Sequence, residues 1–374
     1  LARKLLLASL AVGIGLLAPL LLGEVVLRFF PVVSGLRTLA VNAHDPVKRF
    51  TPNRAFTYSQ GWNFQDVNRG RTNNFGFVND QDYDSTARSP LLAVIGDSYV
   101  EAVMVPFPET FHGRLARCVD GRGRVYSFGA SGAPLSQYLA EAEFARAKFR
   151  PDGVVVVVVG NDFDESLRRY KVEPGFHYFR EDSTLVLERV DYSPSPLRRL
   201  MRQSALVRYL TMNVPGGGNV IANLRRGLTG PDPDRVRYIG NTSASAEPQR
   251  LASSRKAVEA FLARLPAYAG VPAERILLVV DGIRPNLYRE EELQAASGSF
   301  FDLMRRRLMD LARASGFEVI DMQARFMQRH AGDGSRFESA ADAHWNSLGH
   351  QEVARAIAAS GVFARIFPGA TCAP

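Results

Sequence analysis

From residue 91 onward, short apolar runs alternate with longer stretches of helical periodicity. Leu91-Leu92-Ala93-Val94-Ile95, Val125-Tyr126-Ser127-Phe128, Val154 to Val159, Ile276-Leu277-Leu278-Val279-Val280 and Phe317-Glu318-Val319-Ile320 each read as a strand. Six consecutive valines suit a central parallel strand covered on both faces, and the run is far too short to span a bilayer as a helix. Helices are expected over about 109–119, 135–148, 290–314 and 347–360. Strands separated by helices imply βαβ units, a parallel sheet and right-handed crossovers. The expectation is an α/β fold, a three-layer α/β/α sandwich around five parallel strands.

Two regions break the alternation. Residues 31–90 form a polar, turn-rich lead-in, in which Asn73-Asn74-Phe75-Gly76-Phe77 reads as a turn before the first strand. Residues 163–270 are longer than a crossover needs and read as an insertion in a catalytic domain of 91–374, either a cap or a docking surface. Its first part looks like a hairpin turning at Glu181-Asp182, followed by a basic amphipathic helix from about Pro196 to Met212. Pro215-Gly216-Gly217-Gly218 and residues 228–249 read as flexible.

Residues 1–30 carry a different pattern. Arg3-Lys4 precede an apolar run from Leu5 to Leu22 with no polar face. The run is near the lower limit of about 17–25 residues for crossing a bilayer. It is either a cleaved signal peptide or a retained anchor. Leu20-Leu21-Leu22-Gly23-Glu24 stands where a small-x-small cleavage site belongs, which favours the anchor. The basic pair places the N-terminus in the cytoplasm and the rest periplasmic or extracellular.

The net charge of +8 is carried almost wholly by arginine, since lysine occurs only at Lys4, Lys48, Lys148, Lys171 and Lys256. With no long basic block or aromatic-interleaved stripe, nucleic acid is not the expected partner. Two cysteines, Cys118 and Cys372, are too few for a disulfide framework or a metal site of cysteines. Outside the cytoplasm they could form one bridge; the alternative is a buried free Cys118 and a loose Cys372.

The candidate chemistry sits at the carboxyl ends of the strands. Gly96-Asp97-Ser98 follows the first strand, where an open α/β sheet presents side chains to a ligand crevice. Ser98 is the candidate nucleophile, although a serine there is also a common helix N-cap. Phe128-Gly129-Ala130-Ser131-Gly132-Ala133 follows the second strand, and its small residues let backbone N–H groups approach a ligand. Gly160-Asn161-Asp162 ends the valine strand, and the Asn161 amide can donate to a developing oxyanion. Far downstream, Asp342-Ala343-His344-Trp345-Asn346 supplies a carboxylate and an imidazole two residues apart. Such a pair provides a base and the group that fixes its tautomer. His350 is expected to pack or cap, and Asp97 to order the turn at Ser98.

These four segments, in this order, resemble blocks I, II, III and V of the SGNH hydrolase superfamily, the GDSL-type lipases and esterases. The resemblance covers about residues 90–360. It implies a five-stranded flavodoxin-like sheet, Ser98 as nucleophile, His344 as base and Asp342 as its orienter. It assigns the oxyanion donors to the Ser98 N–H, Gly132 and Asn161, with Gly129 as a second candidate for the glycine. No cofactor and no metal are implied. Tyr99 stands where the family usually has leucine, and the Asp342–His344 spacing is one shorter than in many members. The Asp-x-His-Trp form and the Asn73–Phe77 segment resemble membrane-anchored, envelope-associated members. The expected activity is ester hydrolysis on an acylated glycan or lipid, with envelope polysaccharide machinery as the implied partner. An O-acetyltransferase with the same residues and a non-catalytic glycan-binding or scaffold protein are the alternatives.

Overall fold

The computed structural model describes residues 2–214, 237–339 and 343–372. The chain divides into two compact units. The larger comprises residues 37–54, 70–193 and 236–374. Its centre is a five-stranded parallel sheet: β1 Leu91–Gly96, β2 Arg124–Gly129, β3 Gly153–Val158, β4 Ile276–Val280 and β5 Glu318–Asp321. The spatial order is 5-4-3-1-2. Read from the other edge this is the flavodoxin-like order, whose direction of winding reverses between β1 and β3.

The sheet is buried on both faces because its strands lack polar alternation. Leu91, Ala93, Ile95, Val154, Val156 and Val158 point to one side, under helices Leu135–Phe149, Pro248–Ala269 and Phe300–Ala314. Leu92, Val94, Val155 and Val157 point to the other, under Phe111–Cys118, Ser347–Ala358 and Gly361–Ile366. The α/β fold class and three-layer arrangement read from the sequence are therefore those of the chain.

Several local expectations differ. The helix expected over 290–314 is two helices, Glu290–Ala296 and Phe300–Ala314. Gly298 adopts φ +74° between them, and Ser299 caps the second by accepting from the Asp302 N–H. The helix expected over 196–212 is also interrupted. Pro196–Met201 ends before Ser204, which caps Ala205–Arg208 by accepting from Val207 N–H, and a wider turn follows over Tyr209–Asn213. The 22-residue helix Pro248–Ala269 was not expected, nor was Met322–Asp333. The hairpin near Glu181 is present as His177–Glu181 paired with Leu185–Arg189. Within the stretch read as flexible, Tyr238–Ile239 and Thr242–Ser243 pair as a tight hairpin, while Pro215–Gly218 and 228–236 lie outside the described residues. Cys118 and Cys372 form a disulfide, with Cα atoms 5.0 Å apart.

The smaller unit comprises residues 1–36, 55–69 and 194–235. It holds the helix Ala2–Leu27, strand Ala55–Gln60 and the helices Pro196–Met201 and Ala205–Arg208. Within the first helix, Arg3–Leu27 is long and apolar enough to cross a membrane, a property that a signal sequence shares. Ser59 Oγ accepts from Asn213 Nδ2 at 2.8 Å inside this unit.

Candidate active site

The site begins where β1 stops. Gly96 and Gly129 are in register on β1 and β2. A Cβ on Gly96 would lie 2.5 Å from Val100 Cγ2, and one on Gly129 would lie 2.4 Å from the Glu101 nitrogen. Only glycine lets the four-residue helix Ser98–Glu101 sit so close to the strand ends. Asp97 caps that helix, accepting from the Tyr99 N–H at 2.9 Å, so it orders this turn. The turn places Ser98 Oγ 2.8 Å from His344 Nε2 and 3.3 Å from Asp97 Oδ2. These side chains are 246 residues apart in sequence. Asp342 lies outside the described residues.

A buried polar network holds both neighbours of His344. Tyr99 donates its hydroxyl to the Ala343 carbonyl at 2.8 Å. Trp345, fully buried, donates its indole N–H to Asp281 Oδ1 at 2.9 Å. Asp281 accepts from Arg284 Nε at 3.1 Å and Nη2 at 2.6 Å, and Arg284 Nη2 also donates to the Tyr99 oxygen at 3.3 Å. Burial pushes the Tyr99 phenol well above its ordinary range, so it stays a donor at any working pH. The ring of Tyr99 packs 4.9 Å from the His344 ring. One residue beyond Ser98, Tyr99 thus braces the backbone of the loop that carries the imidazole. Leucine at that position could not make this bond.

Gly132 lies in the loop after β2 with φ +82°, and its carbonyl accepts from Lys171 Nζ at 3.1 Å. Gly129, the second candidate, is the last residue of β2 and is held by close packing. Asn161 occupies a single 3₁₀ turn, Gly160–Asp162, after β3. Its Nδ2 donates to Glu165 Oε2 at 2.9 Å, and its Oδ1 accepts from Asn241 Nδ2. Glu165 is paired with Lys171 in turn. The Asn161 amide is therefore fixed at both ends, and one of its two N–H groups is left outside the Glu165 bond. Asp162 is fully buried, accepting from Val159 N–H at 2.8 Å and Tyr138 hydroxyl at 2.9 Å.

The floor of the site is rich in carboxylates. Burial raises Asp97 to about 6 and pushes Glu141 and Asp162 well up. Glu101 is also raised by burial, and it accepts from the Ser131 hydroxyl. His350 is buried in helix Ser347–Ala358, where its Nδ1 accepts from the Phe111 N–H at 3.3 Å. Burial holds that imidazole well below its ordinary range, in keeping with a packing and capping role.

Asp281, Arg284 and Asn241 were not singled out by sequence. Asp281 follows β4 as Ser98 follows β1, so strand-end position was an available signal. Asn241 sits in the turn Ile239-Gly240-Asn241-Thr242, and a Gly-Asn pair is itself a hairpin signal.

No family model matches the sequence, and no curated protein does. Among solved structures, the chain is similar to a protein described as a GDSL-like lipase from Parabacteroides merdae. They share 11% identity and a TM-score of 0.40, over 75% of this chain and 96% of that one. An acetyl xylan esterase from Geobacillus stearothermophilus matches at 14% identity and TM-score 0.38, over 78% and 100%. A lipase/acylhydrolase from Enterococcus faecalis matches at 13% and 0.36, over 72% and 95%. At so remote a likeness, function must be argued from the site itself.

Proposed function

We propose that this chain is a serine-dependent ester hydrolase of the SGNH type. The observation that carries the reading is the 2.8 Å contact between Ser98 Oγ and His344 Nε2 at the carboxyl end of β1. That end borders the point where the sheet reverses its winding, the usual ligand crevice of open α/β sheets. Ser98 Oγ bonds to the ester carbonyl carbon as His344 Nε2 takes its proton. The proton then passes to the alcohol oxygen as its bond to the carbonyl breaks, leaving an acyl-enzyme. Water attacks the acyl carbon, giving its proton to His344, and Ser98 recovers the proton as the acid leaves. The Ser98 and Gly132 N–H groups and the Asn161 amide are the proposed oxyanion donors. Asp342 is the proposed orienter of the imidazole.

The proposed substrate is an acylated glycan or lipid of the cell envelope. The helix Arg3–Leu27 would anchor the chain with its N-terminus in the cytoplasm and its larger unit outside. The Cys118–Cys372 bridge suits such an oxidising compartment. The test is p-nitrophenyl acetate hydrolysis by the full chain in detergent, wild type against Ser98→Ala. Loss of roughly 10³-fold or more is expected. Undiminished turnover by the variant would sink the reading. Background release by both proteins would turn the question to transfer onto a sugar hydroxyl, read as acceptor-dependent product.

A further inference from the structure

The smaller unit exposes many large apolar side chains. In helix Pro196–Met201, Leu197, Leu200 and Met201 fall at i, i+3 and i+4 and so share one face, yet they are 65%, 64% and 46% exposed. Arg198, Arg199 and Arg202 occupy other positions of the same segment. An apolar stripe beside a basic one is the pattern of a helix lying in a membrane interface.

Two further observations say what covers that stripe. First, the segment is tied to the end of the apolar helix. The Glu24 carboxylate accepts from the Ala205 N–H at 3.1 Å, the Leu206 N–H at 2.9 Å and the Ser204 hydroxyl at 2.7 Å. Second, aromatic rings gather at the same level. Phe30 stacks on Phe64 at 5.6 Å and Phe64 packs on Tyr209 at 5.5 Å, while Tyr209 donates its hydroxyl to the Trp62 carbonyl at 2.7 Å. The Trp62 side chain is 67% exposed. Aromatic residues collected just beyond an apolar span mark the headgroup level of a bilayer.

We infer that residues 55–69 and 194–214 form a collar that docks on the anionic lipid headgroups around the end of the N-terminal span. The collar's apolar stripe enters the acyl boundary and its arginines meet lipid phosphates. The inference rests on the reading of Arg3–Leu27 as a membrane span and is independent of the ester chemistry.

Tryptophan reports it directly, because the chain has only Trp62 and the fully buried Trp345. The full chain is reconstituted in vesicles of phosphatidylcholine with or without phosphatidylglycerol, with bromine on shallow or mid-chain carbons. Trp62 emission should be quenched by shallow bromines more than by deep ones, and a Trp62→Phe variant should show no quenching. The variant Leu197→Ser/Leu200→Ser/Met201→Ser should lose the quenching yet stay in the membrane on alkaline carbonate extraction. Arg198→Gln/Arg199→Gln/Arg202→Gln should lose the phosphatidylglycerol dependence, by about tenfold or more in that enhancement. Full retention after extraction with Trp62 unquenched, and as open to aqueous iodide as in detergent, overturns the collar. Release of the wild-type chain by carbonate overturns the span, and the collar with it. Neither result bears on turnover of p-nitrophenyl acetate.

Discussion

Two apolar runs of the chain, one short and one long, have opposite fates. Val154 to Val158 are completely buried, whereas Leu5, Leu6, Leu16 and Leu21 are each more than half exposed. The difference lies in what surrounds each run. These valines and Gly153 form a six-residue strand with a strand on either side and helices over both faces. The leucines form a 26-residue helix, and none of its most apolar 18 residues is buried within the protein. Hydrophobicity alone does not say whether protein or lipid is the solvent. Length and the presence of covering layers separate a core strand from a run long enough to cross a membrane.

A charge placed in each run separates them most sharply. Val156→Asp buries an unpaired carboxylate between two helix layers, and a loss above about 4 kcal/mol should unfold the larger unit. Leu16→Asp should leave thermal unfolding of that unit unchanged and weaken membrane retention, at a cost of about 3 kcal/mol in insertion. Equal melting temperatures for Val156→Asp and wild type would break the comparison. The disulfide is the next probe. It links positions 254 apart, both in the larger unit, and closing so long a loop is worth about 3–5 kcal/mol. Cys118→Ser/Cys372→Ser should lower the denaturation midpoint of that unit alone, while carbonate extraction stays as in wild type.

The smaller effects concern the site. Tyr99→Phe removes the bond to the Ala343 carbonyl and the contact with Arg284. The imidazole loop loses its brace while the core keeps the ring. A fall of about 10–100-fold in kcat is expected, with KM little changed and a stability loss near 1 kcal/mol. Unchanged kcat would show that the loop is positioned by other contacts.

How much of this was legible differs between the sheet and the loops. β1 to β5 were readable because each is a short apolar run ended by glycine or a polar turn. Ser98 and His344 were readable as candidates from their places behind such runs. The helix Pro248–Ala269 carries a regular stripe at Ala257-Val258, Phe261-Leu262, Leu265 and Ala269, with Arg255, Lys256 and Glu259 on the opposite, exposed face. It was hidden because its first turns, Gln249 to Ser254, are mostly polar and follow a run read as flexible. The Asp281–Arg284–Tyr99–Trp345 network was hidden for another reason. It joins segments up to 246 residues apart, and no local pattern reports a bond between them. The exposed stripe of Pro196–Met201 was legible as amphipathic, but not as uncovered, since a pattern names a face and not its occupant.

The last probe is pH, since the fully buried carboxylates among the described residues all belong to the larger unit. Asp97 is 1% exposed, and burial raises it to about 6. A raised carboxyl binds its proton more tightly in the folded than in the unfolded chain. Its contribution to stability is therefore fully present below about pH 4, where both states are protonated, and is lost as pH rises through about 6. The deficit at neutral pH is about 3 kcal/mol. Asp97→Asn keeps an oxygen to accept from the Tyr99 N–H and removes the titration. In equilibrium denaturation, wild type and variant should agree near pH 4, and the variant should be more stable at pH 7. The charge of Asp97 also helps to raise Glu101, Glu141 and Asp162, so the difference between the two curves reports Asp97 together with its coupling to those three groups. A variant less stable than wild type at pH 7, with the gap closing on acidification, would mean that the ionised Asp97 is held favourably by His344. That would reverse the balance between burial and charge at the centre of the site.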